Sequence, residues 1–339
     1  MTSRYKQIRM IGLVSIALIS LAFVSPTAQR RQLEKLGRGL VAVRFEEGKV
    51  FVGWRLLGTD PQNIAFNVYR TSDAGKSLKI NATPIVEATS FIDSFVDNEA
   101  DLTKAVEYFV KPVLKGREQK ERARFKLPAN SPVRQYLSVP LKTPEGYAPN
   151  DGSVGDLDGD GEYELIIHQV GRGRDNSQAG ITTDPILEAY KLDGTFLWRI
   201  NLGRNIREGA HYTQFMVYDL DGDGKAEVAC KTADGTTDGK GKVIGDPKAD
   251  YRLPEGSTVE VRNRNGVVQK RDVSGFVLSG PEYLTIFDGL TGAALATTNY
   301  IPPRHPTKLN PTTEEMAELW GDGTGNRVDR FLACIAYLD

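Results

Sequence analysis

The segment Gly155-Asp156-Leu157-Asp158-Gly159-Asp160-Gly161-Glu162-Tyr163-Glu164 recurs sixty-three residues later as Tyr218-Asp219-Leu220-Asp221-Gly222-Asp223-Gly224-Lys225-Ala226-Glu227. In each copy side-chain oxygens fall at loop positions 1, 3, 5 and 9: Asp156, Asp158, Asp160 and Glu164, then Asp219, Asp221, Asp223 and Glu227. Gly161 and Gly224 hold position 6, where the chain bends sharply, and Glu162 and Lys225 at position 7 offer backbone carbonyls. Carboxylates drawn together repel unless a hard cation neutralises them, and flexible all-oxygen sets suit Ca2+. A lone copy could be a solvated Asp-Gly turn; two near-identical copies argue for metal sites. They are not EF-hands, because position 12 holds Ile167 or Cys230 and an apolar strand-like run follows each loop. The calcium is therefore expected to brace the fold.

A second unit also repeats. Ala189 to Arg199 and Leu284 to Leu295 each read as strand, Asp-Gly turn, strand, with the turns at Asp193-Gly194 and Asp288-Gly289. Sheet units recurring at this scale point to an all-β chain built from propeller blades, and the acidic loops resemble those of propeller proteins such as integrin α-subunits. A third copy is missing: the sequence stops at Ala336-Tyr337-Leu338-Asp339, where the lead-in of Tyr218 begins again. The expectation is a truncated propeller, the amino-terminal portion of a longer protein.

Ahead of the repeat, residues 31–139 are expected to form a β-sandwich. Gly39–Arg44, Lys49–Arg55, Ile64–Arg70 and Glu107–Val113 have the alternation and β-branched or aromatic content of strands. Trp54 is expected in the core, with Arg55 and Arg70 on the wet face. The proline-rich stretch from Leu127 to Asn150 reads as a linker into the propeller part, residues 140–339. At the amino end, Arg4, Lys6 and Arg9 precede an apolar run from Met10 to Val24 and a small-residue exit, which makes residues 1–29 a signal peptide. The run is shorter than the roughly 20 residues a spanning helix needs, so a secreted or periplasmic protein is expected, with no stable membrane insertion. With 43 basic and 44 acidic residues the chain has no overall field to recruit nucleic acid. Cys230 and Cys334, both in apolar runs, are expected as buried thiols, and the chain as a monomer.

Longer strings carry a family resemblance. They are Gly203-Arg-Asn-Ile-Arg-Glu-Gly-Ala-His211-Tyr-Thr-Gln-Phe-Met-Val-Tyr-Asp219, Cys230-Lys-Thr-Ala-Asp234-Gly, Asp175-Asn176-Ser177-Gln178, Ser279-Gly280-Pro281-Glu282-Tyr283-Leu284 and Gly325-Asn326-Arg327-Val328-Asp329-Arg330-Phe331-Leu332. In the first domain they are Leu36-Gly37-Arg38-Gly39 and Trp54-Arg55-Leu56-Leu57-Gly58-Thr59-Asp60-Pro61. Together they resemble polysaccharide lyase family 11, the rhamnogalacturonan lyases. The resemblance implies an eight-bladed propeller holding several Ca2+ ions after a fibronectin type III-like domain. It also implies an acidic substrate, rhamnogalacturonan I, cleaved by β-elimination: a proton leaves C5 of galacturonate and the oxygen on C4 is expelled. That chemistry needs a cation or arginine on the carboxylate, a base and a proton donor. No water attacks, so the paired carboxylates of a hydrolase are not expected.

Asn150 matches an asparagine that contacts rhamnose in the family. The family's companion aspartate is replaced by Val170, in His168-Gln169-Val170-Gly171, where His168 stands for a lysine. The substrate-binding candidates are Asn150, His168, Arg172 and Arg174; Arg204 and Arg207 could also meet carboxylates. His211 and Lys231 are weak candidates for proton transfer, because the basic residues assigned to catalysis in the family fall beyond Asp339. Each has an ordinary alternative: a hydrogen-bonded loop histidine, a strand-end lysine, arginines in ion pairs. The main reading is a lyase of which this portion alone is inactive. The alternative is a non-catalytic, calcium-dependent carbohydrate-binding propeller; an adhesion module is more remote.

Overall fold

The β-branched and aromatic runs ahead of the repeat become eight strands: β1 (Val41–Glu46), β2 (Lys49–Gly53), β3 (Ala65–Thr71), β4 (Ser77–Lys79), β5 (Ser90–Asp93), β6 (Val106–Leu114), β7 (Arg117–Glu118) and β8 (Ala123–Leu127). The computed structural model describes residues 35–336 apart from 72–74, 96–100, 121–122, 176, 210–213, 263–264 and 330–332. The expected signal segment, His211 and the closing Tyr337-Leu338-Asp339 lie outside the described residues. Strands β1, β2 and β5 form one antiparallel sheet; β4, β3, β6, β7 and β8 form another. Val50 and Val52 of the first share a core with Val68, Tyr108 and Val110 of the second. Trp54 is buried there, its ring edge-on to Phe66 at 5.3 Å.

Two arginines depart from expectation. Arg70 is buried, not wet: its guanidinium donates to Asp93 at 2.5 Å, and the Tyr108 hydroxyl donates to the same carboxylate at 2.9 Å. The ion pair satisfies a charge that central strand β3, covered on both faces, cannot expose. Arg55 is half-buried, with its guanidinium 4.2 Å from the centre of the Tyr163 ring, so it reaches the first acidic loop.

No strand occupies residues 128–147. Strands β9 (Ala148–Gly155), β10 (Glu164–Val170), β11 (Ile186–Tyr190) and β12 (Phe196–Asn201) then make a four-stranded meander. The plan repeats in β13 (Phe215–Tyr218), β14 (Glu227–Ala233), β17 (Glu282–Phe287) and β18 (Ala294–Asn299). Between β14 and β17 the chain inserts a separate two-stranded ribbon, β15 (Thr258–Arg262) and β16 (Val268–Asp272). Each acidic loop joins the first two strands of its sheet, and each Asp-Gly turn joins the last two. The one described helix, α1 (Thr313–Trp320), starts at a capping box in which Thr312 and Glu315 satisfy each other's backbone N–H. Its Met316 packs with Val273, Phe276 and Leu278 in a small satellite core. No described helix is long and apolar enough to cross a membrane. The described fold is thus nearly all-β.

One core joins the two meanders. Ile166, Leu187, Ala189, Trp198 and Ile200 of the first pack with Ala226, Val228, Cys230 and Phe287 of the second. Trp198 Nε1 donates to the Gly289 carbonyl at 2.6 Å, fastening β12 to the turn after β17. Any side chain at Gly289 would strike the Ala226 carbonyl, since a Cβ there would lie 1.8 Å from it. Cys230 lies in this core, and burial pushes its thiol up to about 12, so it is no nucleophile. Cys334, expected buried, is exposed: residues 333–336 form no strand, and no described strand pairs with them.

Candidate functional site

The two acidic loops fold alike because the same residues make the same bonds. The Asp156 carboxylate accepts from the N–H of Gly159 at 2.8 Å and of Gly161 at 2.9 Å; Asp219 accepts from Gly222 at 2.6 Å and Gly224 at 2.9 Å. Glu164 and Glu227 reach back to the N–H of Leu157 and Leu220, each at 2.8 Å. Gly161 and Gly224 have φ of 90° and 94°, a conformation that disfavours a side chain and explains glycine at the bend. The result gathers three carboxylates per loop, Asp156, Asp158 and Glu164 in one and Asp219, Asp221 and Glu227 in the other, with oxygens within 4.8 Å of one another. Asp160 and Asp223 stand outside these groups and accept from the N–H of Glu162 and Lys225 instead. Glu162 turns its side chain toward Arg55, leaving its loop role to the backbone.

Burial and crowding show in the acidities. Burial, opposed by backbone hydrogen bonds and reinforced by neighbouring carboxylates, raises Asp156 and Glu164 above their ordinary values. Glu227 is pushed up to about 7 by burial first, and then by Asp221, Asp223 and Asp219. Asp158 goes the other way: burial raises it, but the adjoining Lys191 ammonium outweighs that and holds it below the ordinary value. An all-oxygen donor set of close, partly desolvated carboxylates fits a hard divalent cation. Asp156, Asp158 and Glu164, and Asp219, Asp221 and Glu227, are the side chains that would hold Ca2+.

Strand direction separates these loops from the other candidates. β9 and β10 run antiparallel and meet at the first loop, so Asn150 and Val170 lie at the far end of the sheet, about 20 Å away at ~3.3 Å per residue. There the ladder slips: Gly152 faces Ile167 and Pro149 faces Gln169, leaving Asn150 and Asp151 opposite His168 alone. Such a bulge re-aims side chains, and Asn150 and Asp151 are both exposed. Arg172 and Arg174, just past β10, are exposed as well, and neither has an ion pair among the described residues. Two neutral or acidic hydrogen-bonding groups and two unpaired arginines thus share this end of the first meander.

His168 is not presented with them. Its ring is buried and its Nε2 lies 3.2 Å from Oε1 and 3.3 Å from Oε2 of Glu208, a carboxylate with no exposure. The ring is therefore not presented to solvent as the expected substrate contact would require. Arg207 is also spent internally, donating to the carbonyls of Gly180, Gly275 and Gln178. Arg204 stays half-exposed, 3.8 Å from Asp250. Lys231 sits between Glu282 and Asp329, the latter at 3.1 Å, and Arg304 also binds Glu282 at 2.9 Å. Burial presses the Lys231 pKa down, but Asp329 and Glu282 together raise it above its ordinary value. A lysine held protonated this way is a counter-ion and not a ready base, so its candidacy for proton transfer loses its physical support.

Sequence models of known families match both parts of the chain: "Rhamnogalacturonan lyase family 11, C-terminal domain" over residues 136–339 and "Rhamnogalacturonan I lyases beta-sheet domain" over residues 31–127. The chain belongs to rhamnogalacturonan lyase family 11. It is 51% identical over 322 residues to the rhamnogalacturonan exolyase YesX of Bacillus subtilis (strain 168), an alignment covering 92% of this chain and 45% of the relative. It is 50% identical over 320 residues to the rhamnogalacturonan endolyase YesW of the same organism, covering 91% and 44%. Among solved structures, exotype lyase YesX matches with a TM-score of 0.69 over 89% of this chain and 44% of that one. The Bacillus licheniformis rhamnogalacturonan lyase PL11 matches with a TM-score of 0.70 at 50% identity, over 90% and 46%. The chain therefore spans under half the length of these relatives.

In this family 11 chain several structural partners escaped the sequence reading. Lys191 enters the first loop from the strand pair next door, and Gly37 N donates to the Gly161 carbonyl at 2.6 Å, buttressing the same loop from the first domain. Glu208 and Asp329 meet His168 and Lys231 from 40 and 98 residues away. Such long-range pairings leave no periodic signal; a buried histidine or lysine in a strand merely demands that some carboxylate be near.

Proposed function

We propose that this chain forms the amino-terminal part of an exported rhamnogalacturonan lyase. It would contribute a fibronectin type III-like domain, residues 31–139, and the first blades of a calcium-braced β-propeller, residues 140–339. Export is supported by the charged and apolar pattern of residues 4–29. The blade reading is supported by two successive four-stranded meanders with a shared core and a repeated loop. The observation that carries the substrate reading is the family membership, together with the exposed Asn150, Arg172 and Arg174 at the end of the first meander away from the acidic loops.

In that arrangement the arginines would pair with galacturonate carboxylates and so ease loss of the C5 proton, while Asn150 would hydrogen-bond the neighbouring rhamnose. Bound calcium would supply positive charge that holds the acidic loops closed. Elimination breaks the C5–H and C4–O bonds and leaves a C4–C5 double bond, with the proton and the expelled oxygen balancing across base and acid. The described residues provide carboxylate recognition but no assigned base.

A second reading, a carbohydrate-binding propeller without turnover, is favoured by Val170, an apolar side chain where the family pattern has an aspartate, by the burial of His168 against Glu208 and by the ion pairs of Lys231. Incubating a longer form of the protein with rhamnogalacturonan I and following unsaturated-uronate absorbance, with and without chelator, separates the two. A calcium-dependent rise supports the lyase. Measured binding with no rise supports the second reading, and absence of both removes the polysaccharide from the account.

A further inference from the structure

The two acidic loops share a sequence but not their surroundings. In the first, Lys191 Nζ lies 2.5 Å from Asp158 Oδ2, 3.3 Å from Asp160 Oδ2 and 3.4 Å from Glu164 Oε1. Two of those carboxylates, Asp158 and Glu164, belong to the converging trio, so the ammonium binds two of the three side chains a divalent ion would use. In the second loop no described lysine, arginine or histidine pairs with Asp219, Asp221, Asp223 or Glu227.

Strand register explains the difference. Leu165 pairs with Tyr190 and Val228 pairs with Phe287, so Lys191 and Asp288 follow at corresponding places in the two meanders. The second meander thus brings a carboxylate where the first brings an ammonium, and Asp288 is turned into its own turn, accepting from Thr291 N at 2.7 Å and Thr291 Oγ1 at 2.5 Å. Lys225, the basic residue within the second loop, leans away over Gly159 of the first, where a Cβ would lie 3.3 Å from its Cε.

We propose that Lys191 is the resident counter-ion of the first loop, and that calcium enters the second loop at concentrations at which the first still holds its lysine. The inference rests on the calcium reading of these loops. An ammonium offers one charge and three donors to a site that would otherwise give several oxygens to a doubly charged ion, so calcium must displace it before binding. Among the described residues the second loop has no such competitor, and its carboxylates relieve their repulsion by taking up a cation or protons. Calcium removal is therefore expected to loosen the second loop first, while Lys191, with Gly37 behind Gly161, keeps the first folded.

The test is calcium titration of the full chain by calorimetry, with native mass spectrometry counting bound ions, on the unaltered protein and on Asp158→Asn, Asp221→Asn, Lys191→Met and Lys191→Arg. The expected result is a tight event lost in Asp221→Asn and kept in Asp158→Asn. Lys191→Met should bind one more ion at the concentration that saturates the second loop, tightening the first-loop event at least about tenfold, as expected when a competing charge is removed. Lys191→Arg, which keeps the charge, should not. Circular dichroism on each variant establishes that the count refers to folded protein. Equal affinity of the two loops in the unaltered chain, or an unchanged ion count in folded Lys191→Met, overturns the assignment of Lys191. Absence of calcium binding in every folded form overturns the calcium reading itself, and the inference with it.

Discussion

His168 Nε2 lies 3.2 Å from Glu208 Oε1, and both side chains are shut away from solvent. The pair links β10 to the segment after β12 from within the protein, 40 residues apart in sequence. Replacing the ring by leucine leaves the buried Glu208 side chain without its hydrogen-bond partner, which typically costs about 1–3 kcal/mol. His168→Leu should lower the urea midpoint accordingly, and adding Glu208→Gln should recover part of the loss. A variant as stable as the parent would mean the pair does not form.

Lys231 tests the difference between a base and a counter-ion. Its ammonium is shared by Glu282 and Asp329, so Lys231→Met removes the cation from between two carboxylates, with Arg304 still on Glu282, and should destabilise the chain by about 1–3 kcal/mol. Lys231→Arg should keep most of the stability, because charge and donors remain. A true base would show the reverse: an unchanged melting temperature in Lys231→Met, with only turnover affected.

Arg172 and Arg174 are exposed and have no ion-pair partner among the described residues, so Arg172→Ala and Arg174→Ala should each change stability by no more than about 0.5 kcal/mol. Their effect should fall on recognition instead. Affinity electrophoresis in rhamnogalacturonan I should show each variant retarded several-fold less than the parent at low salt, with the gap closing near 1 M salt, where screening extends to about 3 Å. Persistence of the gap at high salt would point to shape and not charge as their contribution.

What the sequence made legible was local. The acidic loops, their glycine bends and the Asp-Gly hairpins are written in contiguous residues, and the side chains at loop positions 1, 3 and 9 converge in both copies, whereas Asp160 and Asp223 at position 5 stand outside the groups. Trp54 was readable for the same reason, as a large ring in an alternating strand. The errors concern charged residues in strands. Arg70, His168 and Lys231 look equally able to face water or a cleft, and only distant Asp93, Glu208 and Asp329 decide that each is turned inward. The inequality of the two loops was hidden likewise, since Lys191 comes from a different strand pair.

Glu227 gives the second loop a pH dependence whose sign calcium should reverse. Without metal its carboxyl is pushed up to about 7 from an ordinary 4.5, by burial first and then by Asp221, Asp223 and Asp219. The folded state then binds the proton more tightly than the unfolded one. The resulting stabilisation is fully present below pH 4.5 and is lost as pH rises through about 7. The calcium-free chain should therefore melt at lower temperature as pH goes from about 5 to about 8, once other groups are matched by a Glu227→Gln control. Calcium requires the ionised carboxylate, so its affinity should rise about tenfold per pH unit up to the pKa and level off above it. The stabilisation gained on adding calcium should accordingly grow from about pH 5 to about pH 7. Parallel melting curves with calcium and with chelator across this range would show that Glu227 is not a ligand, whereas curves that converge in acid and diverge near neutrality, flattened by Glu227→Gln, place the ion on this carboxylate.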